Sequence, residues 1–280
     1  MGMKIWWQHI FPPQEQIEKE TGMVLAASVK EAEARFLENL RTVAHPDTEV
    51  EIHYVKHSSY VVHSYYMEML NNIWLLDGVI EAERQGYDAV IIGCADDPGI
   101  REARQAVDIP VVAPAEAAMM LACTLGSRFG MITVLPELVA FCERNIRNYG
   151  MESRAVRPVR VHDLGEDWVN ALFEMLLNPQ VIFPGFEELC RACIQDGAEV
   201  ILPCCCALSP AASLAGYREV PGTGVPVVDV TQAALKLAET LVDLKRAVGL
   251  GKSRRCTYKS TPPAIRDMMR SLTYGAPGKS

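Results

Sequence analysis

Two stretches decide the fold: GYDAVIIGC at residues 86–94 and GAEVILPCC at residues 197–205. Each starts on a glycine closing a helical pattern, runs through an apolar, β-branched segment, and reaches a cysteine eight positions later. A second matching pair follows. DIPVVAPAEAAMMLACTL at 108–125 resembles GVPVVDVTQAALKLAETL at 224–241. From Cys94 to Pro110 is 16 positions and from Cys205 to Pro226 is 21, and the five extra residues fall in a loop, where added length costs little. The chain therefore reads as two copies of one unit, each with a cysteine at the C-terminal end of a central strand.

Working outward, short apolar runs alternate with amphipathic segments. Strands are expected at 4–8, 50–55, 89–94, 111–113, 130–135, 156–161, 200–204 and 227–230. Helices are expected at 30–43, 64–85, 99–106, 115–125, 136–148, 185–196 and 231–248. Such alternation predicts an α/β protein with parallel sheets covered by helices. The first half is expected over 1–114, completed by the helix at 231–250, the second over 115–230, with a surface extension at 251–280. Ligands of open α/β sheets bind beyond the C-terminal strand ends. If the halves face each other, Cys94 and Cys205 meet across one cleft.

Composition narrows the function. Of 280 residues, 49% are hydrophobic and 22% charged, as in ordinary globular proteins. Net charge is −8 with no basic cluster, which argues against nucleic acid or an anionic membrane as partner. No apolar run reaches the roughly 18 residues of a membrane span. MGMKIWWQHI lacks a signal-like basic flank, so cytoplasm is the expectation. The nine cysteines are an odd number in a long chain and read as thiols rather than bridges. Cys190 and Cys193 form a C-x-x-C inside a helical pattern, without partners at zinc-finger spacing, and read as packing. No G-x-G-x-x-G, G-K-[ST] or G-x-S-x-G motif occurs, so neither a nucleotide nor a metal or other cofactor is expected.

A thiol titrates near enough to neutrality to act as base or acid. After Cys94 comes ADDPG, where Asp97 and Pro98 suit a helix start, and Ser209 and Pro210 repeat this after the triplet Cys204, Cys205 and Cys206. One thiolate removing a proton beside a carbonyl while an opposed thiol returns one to the other face inverts a stereocentre. The triplet poses a register question. Counting forward from the glycine pairs Cys94 with Cys205; counting back from the proline pairs it with Cys206. An extra residue inside a buried strand flips its side chains, whereas one in a loop is cheap, which favours Cys205.

CADDPG followed by IPVVAPAEAA resembles the aspartate/glutamate/hydantoin racemase superfamily, most closely its hydantoin and allantoin branch. The likeness runs from about residue 3 to 250. It implies two pseudo-symmetric flavodoxin-like halves, an active site between them, and cofactor-independent proton transfer by two cysteines, Cys94 and Cys205. Ala95 and Asp96 after the first cysteine, and Cys206 and Ala207 after the second, become expected substrate contacts. Glu116 matches a glutamate near the site in that family. Where hydantoin racemases open with Asn–Pro–Asn–Thr, this chain has QHIFPP, which puts Gln8 and His9 at the substrate. The usual Gly–Cys–Ala–Gly of the second motif is PCCCALSP here.

The loop after the second strand borders the cleft in that family, so Ser59, Tyr60 and His63 of HSSYVVHSYY are further expected contacts. Of Trp6 and Trp7, one is expected in the core and the other at the cleft. The reading is thus a racemase or epimerase acting on a small molecule, as a homo-oligomer. A decarboxylase, cis–trans isomerase or ring-opening lyase would use the same cleft with one cysteine. A non-catalytic binding protein is the alternative of another class.

Overall fold

A computed structural model describes residues 2–25, 28–59 and 63–274. The elements in order are β1 (Met3–Gln8), α1 (Gln14–Thr21), α2 (Val29–Arg41), β2 (Thr48–His53), α3 (Tyr65–Arg84), β3 (Ala89–Ile92), α4 (Ile100–Ala106), β4 (Val111–Val112) and α5 (Pro114–Leu125). There follow β5 (Phe129–Thr133), α6 (Val139–Asn148), β6 (Arg160–Val161), α7 (Trp168–Leu177), α8 (Phe183–Gln195), β7 (Val200–Pro203), α9 (Leu208–Leu214), β8 (Glu219–Val220), β9 (Val225–Pro226), α10 (Val230–Val248) and α11 (Pro263–Tyr274).

Two parallel sheets form, one in each half. The first has the order β2-β1-β3-β4 and the second β6-β5-β7. In both, a central strand ending at a cysteine loop pairs with the first strand of its half: Gln8 stands opposite Ile92, and Ile132 opposite Pro203. The bridge from Ile201 to Val227 takes the position that β4 holds in the first sheet. The expected strand at 227–230 is therefore one bridge. Val225–Pro226 turns away to pair antiparallel with Glu219–Val220, because the chain must enter α10 at Val230.

The repeated segments become α5 and α10, which pack on each other and exchange sheets. α10 lies across β1, β3 and β4, whereas α5 lies across β5 and β7. Leu235, Ala238 and Val242 bury one apolar face of α10 at the helical spacing. Burying a side chain of the size of Leu235 or Val242 contributes about 1.5–3 kcal/mol. Asp229 caps α10 and accepts from Asn39 Nδ2 of α2 at 2.7 Å, while Glu239 accepts the His45 N–H at 2.8 Å. α10 is thereby tied to the half that precedes it by some 190 residues.

Several expectations shift. The strand expected at 50–55 is Thr48–His53, and that at 156–161 shrinks to Arg160–Val161 with one bridge from Ala155 to Phe129. Helices α1, α7 and α11 were not read from the sequence, and α9 (Leu208–Leu214) only as a helix start at Ser209 and Pro210. Residues 252–274, expected as a surface extension, pack on α4. Arg254, Lys252 and Arg266 donate to the carbonyls of Val107, Ile109 and Ala106. Cys190 and Cys193 are both buried on α8, and a Cβ at Gly130 would come within 2.7 Å of the Cys193 Cβ. The thiol thus fills the space that a side chain on β5 would need. None of the described helices is long and apolar enough to cross a membrane.

Candidate active site

The two cysteine loops emerge at the C-terminal ends of β3 and β7 and face one cavity of about 120 Å³. Cys94, Ala95 and Asp96 line it from the first half, and Cys204, Cys205, Cys206 and Ala207 from the second. Gly93 lets the first loop turn in: a Cβ there would lie 2.6 Å from Trp7 Nε1 and 2.7 Å from the Gln8 carbonyl oxygen. The halves are also joined at this point. The Cys204 thiol donates to the Ala95 carbonyl at 3.6 Å, so it reaches across the cleft.

Backbone geometry answers the register question. The Gly93 N–H donates to the carbonyl of Gln8 and the Cys204 N–H to that of Ile132, which makes Gly93 and Cys204 equivalent. The next residues are Cys94 and Cys205. Beyond them the turns differ by one residue: the Cys94 carbonyl accepts from the N–H of Asp97, that of Cys205 from the N–H of Ser209. Asp97 and Ser209 then do the same work. Asp97 accepts the N–H groups of Ala115 and Glu116 at 3.0 and 2.9 Å, at the start of α5. Ser209 Oγ accepts the Val230 N–H at 2.8 Å, at the start of α10. The extra residue sits in the turn.

This corrects one expectation. Asp97 does not cap the helix that follows it: α4 starts after Gly99, and Asp97 itself has φ 54°. The tight turn aims its carboxylate at α5 instead. Tyr149 adds a third hydrogen bond to Asp97 at 2.8 Å. The Asp96 carbonyl accepts from Arg144 and Asn145 of α6 at 2.8 and 2.9 Å. The first cysteine loop is thus held by side chains of the second half.

The two thiols have different surroundings. Cys94 donates to Asp96 Oδ2 at 3.7 Å, and burial, with Asp96 beside it, pushes its pKa well up. Burial, with Glu68 nearby and Arg144 opposing, brings the Asp96 carboxyl up to about 7. Cys205 Sγ accepts the Ala207 N–H at 3.4 Å at the start of α9, and the Leu208 N–H points to it as well. Burial still raises it to about 11. Cys206 is raised well above its ordinary value by burial and by Cys205. All three thiols therefore rest protonated at neutral pH.

His9 lines the cavity between the two sheet ends. Its Nδ1 accepts the Phe11 N–H at 3.1 Å, so the ring proton sits on Nε2, and burial lowers its pKa to about 4. It is a neutral donor. Trp7 lines the cavity, while Trp6 stacks on His53 at 3.3 Å beneath it, so both tryptophans are buried. Gln8 does not reach the cavity. Its amide accepts from Trp6 Nε1 and donates to the carbonyls of His9 and His53, which occupies it inside the sheet end. Glu116 is likewise elsewhere, buried in a two-point ion pair with Arg104. Ser59 stands off the cavity wall with its N–H on Asn71 Oδ1, and His63 backs Trp168 edge-on at 6.3 Å. Tyr60 lies outside the described residues.

Sequence reading missed most of the remaining wall. Phe36 from α2 and Trp168, Leu172, Phe173 and Leu176 from α7 make it apolar, and Glu33 from α2 is a carboxylate among them. The signal for Glu33 was its place on the inward face of α2, between Ala32 and Phe36. For α7 it was the apolar run WVNALFEMLL itself.

A two-lobed α/β protein with equivalent strand-end thiols in one cavity defines a class, and comparison places the chain within it. The Asp/Glu/hydantoin racemase family model matches residues 22–238. A hydantoin racemase from Pseudomonas sp. (strain NS671) is 34% identical over 223 residues, 78% of this chain and 82% of that one. An allantoin racemase from Klebsiella pneumoniae superposes with TM-score 0.74 at 25% identity, covering 93% of this chain and 94% of the other. One from Pseudomonas fluorescens gives 0.73 at 27%, covering 93% and 98%. The chain belongs to the Asp/Glu/hydantoin racemase family and is an isomerase of the racemase type.

Proposed function

We propose that the protein interconverts the enantiomers of a hydantoin-type ring, with Cys94 and Cys205 as the opposed acid and base. The observation that carries this reading is their equivalence: matched positions, one in each half, lining one cavity. The relatives' activities support the ring as substrate class. The acidic carbon lies between the sulfurs with its carbonyl beside it. One thiolate takes the proton; the electron pair passes onto the carbonyl oxygen; the opposite thiol returns a proton to the other face. His9 Nε2–H is a donor suited to a ring oxygen.

Asp96 makes the first thiolate accessible. Cys94 and Asp96 share a hydrogen bond, and Asp96 titrates near neutrality, so it can accept the thiol proton when the ring binds. Cys205 draws on backbone N–H groups instead. Two thiols rather than one also favour inversion over decarboxylation or ring opening, which need a single proton donor.

Cys94→Ser and Cys205→Ser are each expected to lower racemisation of hydantoins by about 100-fold or more, the scale of a lost acid or base. Polarimetry in deuterated water reads both racemisation and label uptake at the α-carbon, and circular dichroism checks the fold. A folded single variant with full activity would sink the reading.

A further inference from the structure

Three adjacent strands end side by side, Gln8 standing opposite both His53 and Ile92. Cys94 follows β3, His9 follows β1 and Tyr54 follows β2, and the sheet order places β1 between the other two. Neighbouring strands are about 4.8 Å apart, so Tyr54 lies roughly 10 Å from the column of Cys94. Across that gap, on α2, Glu33 lines the same cavity and takes the Tyr54 hydroxyl on both carboxylate oxygens, at 2.5 and 2.6 Å. Among the described residues this hydroxyl is its one donor, and no lysine, arginine or histidine nitrogen pairs with it.

A half-buried carboxylate facing a largely apolar cavity is costly unless something answers it. One phenol answers part. Trp7 and Phe36 line the same cavity, their ring centroids 4.7 Å apart, and such surfaces suit methylene groups. A substituent with an apolar stem and a charged tip would bury the first along those rings and place the second on the carboxylate, as lysine side chains do on protein surfaces.

We infer that Glu33, held by Tyr54, is a specificity-determining subsite for a basic end group, ammonium or guanidinium, on the substituent at the ring's stereocentre. The inference rests on the hydantoin-racemase reading above. Burial raises the Glu33 carboxyl from its ordinary value, and a cation docked on it would bring it down again. Tyr54 acts through Glu33 as a positioning residue.

The test compares 5-(4-aminobutyl)hydantoin with 5-pentylhydantoin, which has the same reach and no charge. Wild-type protein is expected to favour the aminobutyl ring at least tenfold in kcat/KM. Glu33→Gln is expected to bring that ratio to near one, and Tyr54→Phe to keep it above one. A wild-type ratio of one or below, or a ratio unchanged in Glu33→Gln, overturns the subsite while leaving the racemase reading intact. If neither ring is racemised, the assignment of the hydantoin ring as substrate fails, and calorimetric affinities of wild-type protein for the two rings still decide. Tighter binding of the aminobutyl ring then supports the subsite, and equal or weaker binding overturns it. The wild-type comparison needs no variant to fold.

Discussion

At the scale of single residues, the two halves meet as equivalents in position but not in chemistry. Cys94 has a carboxylate two residues on; Cys205 has the N–H groups of Ala207 and Leu208. With Cys94 and Cys205 as the proposed acid and base, Asp96 sets the pH dependence of the Cys94 side. Its pKa is raised by burial to about 7, so below that pH it is neutral and cannot take the thiol proton; above it, it can. The sign follows: kcat/KM for the enantiomer deprotonated by Cys94 should rise with pH and level off above about 7. In Asp96→Asn the rate should fall about 100-fold and the acid limb should vanish, since the amide neither accepts the proton nor titrates. Initial rates from each pure enantiomer across pH 5 to 9 check this. An unchanged limb in Asp96→Asn would assign it to another group. The sequence pointed to Asp96 through its motif, whereas Glu33 and Tyr54 carried no motif and their pairing became visible only once α2 was packed beside the end of β2.

At the scale of elements, the caps show why repeats are legible and turns are not. The strand and helix pattern of both copies could be read because burial imposes periods of two and 3.6 on the side chains. The partner of Asp97 could not, because it lies 18 and 19 residues away at the start of α5 and depends on a backbone turn with positive φ. Helix α7 was missed because it is short and carries only two polar residues, Asn170 and Glu174, so in the sequence its run WVNALFEMLL reads equally as a buried strand. Asp97 holds the first cysteine loop against α5 and, through Tyr149, against α6. Asp97→Ala removes acceptors from two buried N–H groups and a phenol. Losing a cap costs about 1 kcal/mol and a buried donor left unpaired about 1–3, so a loss of about 2–4 kcal/mol is expected. Ser209→Ala, which frees one N–H of α10, should cost about half as much. Urea unfolding measures both, and equal losses would contradict the proposed division of labour.

At the scale of the whole molecule, the chain closes on itself twice. α10 crosses to the first sheet, and residues 252–274 then run on to the far end of α4, the short helix leading away from the Cys94 loop. The positive side chains there are arranged about its C-terminal end: Arg254 on the Val107 carbonyl at 3.0 Å, Lys252 on Ile109 at 2.9 Å, and Arg266 on Ala106. Cations at a helix C-terminus complement its dipole, each by about 0.3–1 kcal/mol where partly exposed. Arg84 with Asp267, and Arg270 with Asp77, fasten α11 along α3. Ending the chain after Gly251 should therefore lower stability by about 1–3 kcal/mol, which corresponds to several degrees in Tm for a domain of this size. The loss should be local first. Amide exchange should accelerate in α4 and at the α3 face it packs on, while β1, β3 and α10 keep their protection. Racemisation should weaken as α4 frays, because the turn that positions Cys94 and Asp97 ends where α4 begins. Hydrogen exchange read by mass spectrometry distinguishes this from a general loss of stability. Equal acceleration across both sheets would mean that the C-terminal segment supports the fold at large and not the Cys94 loop.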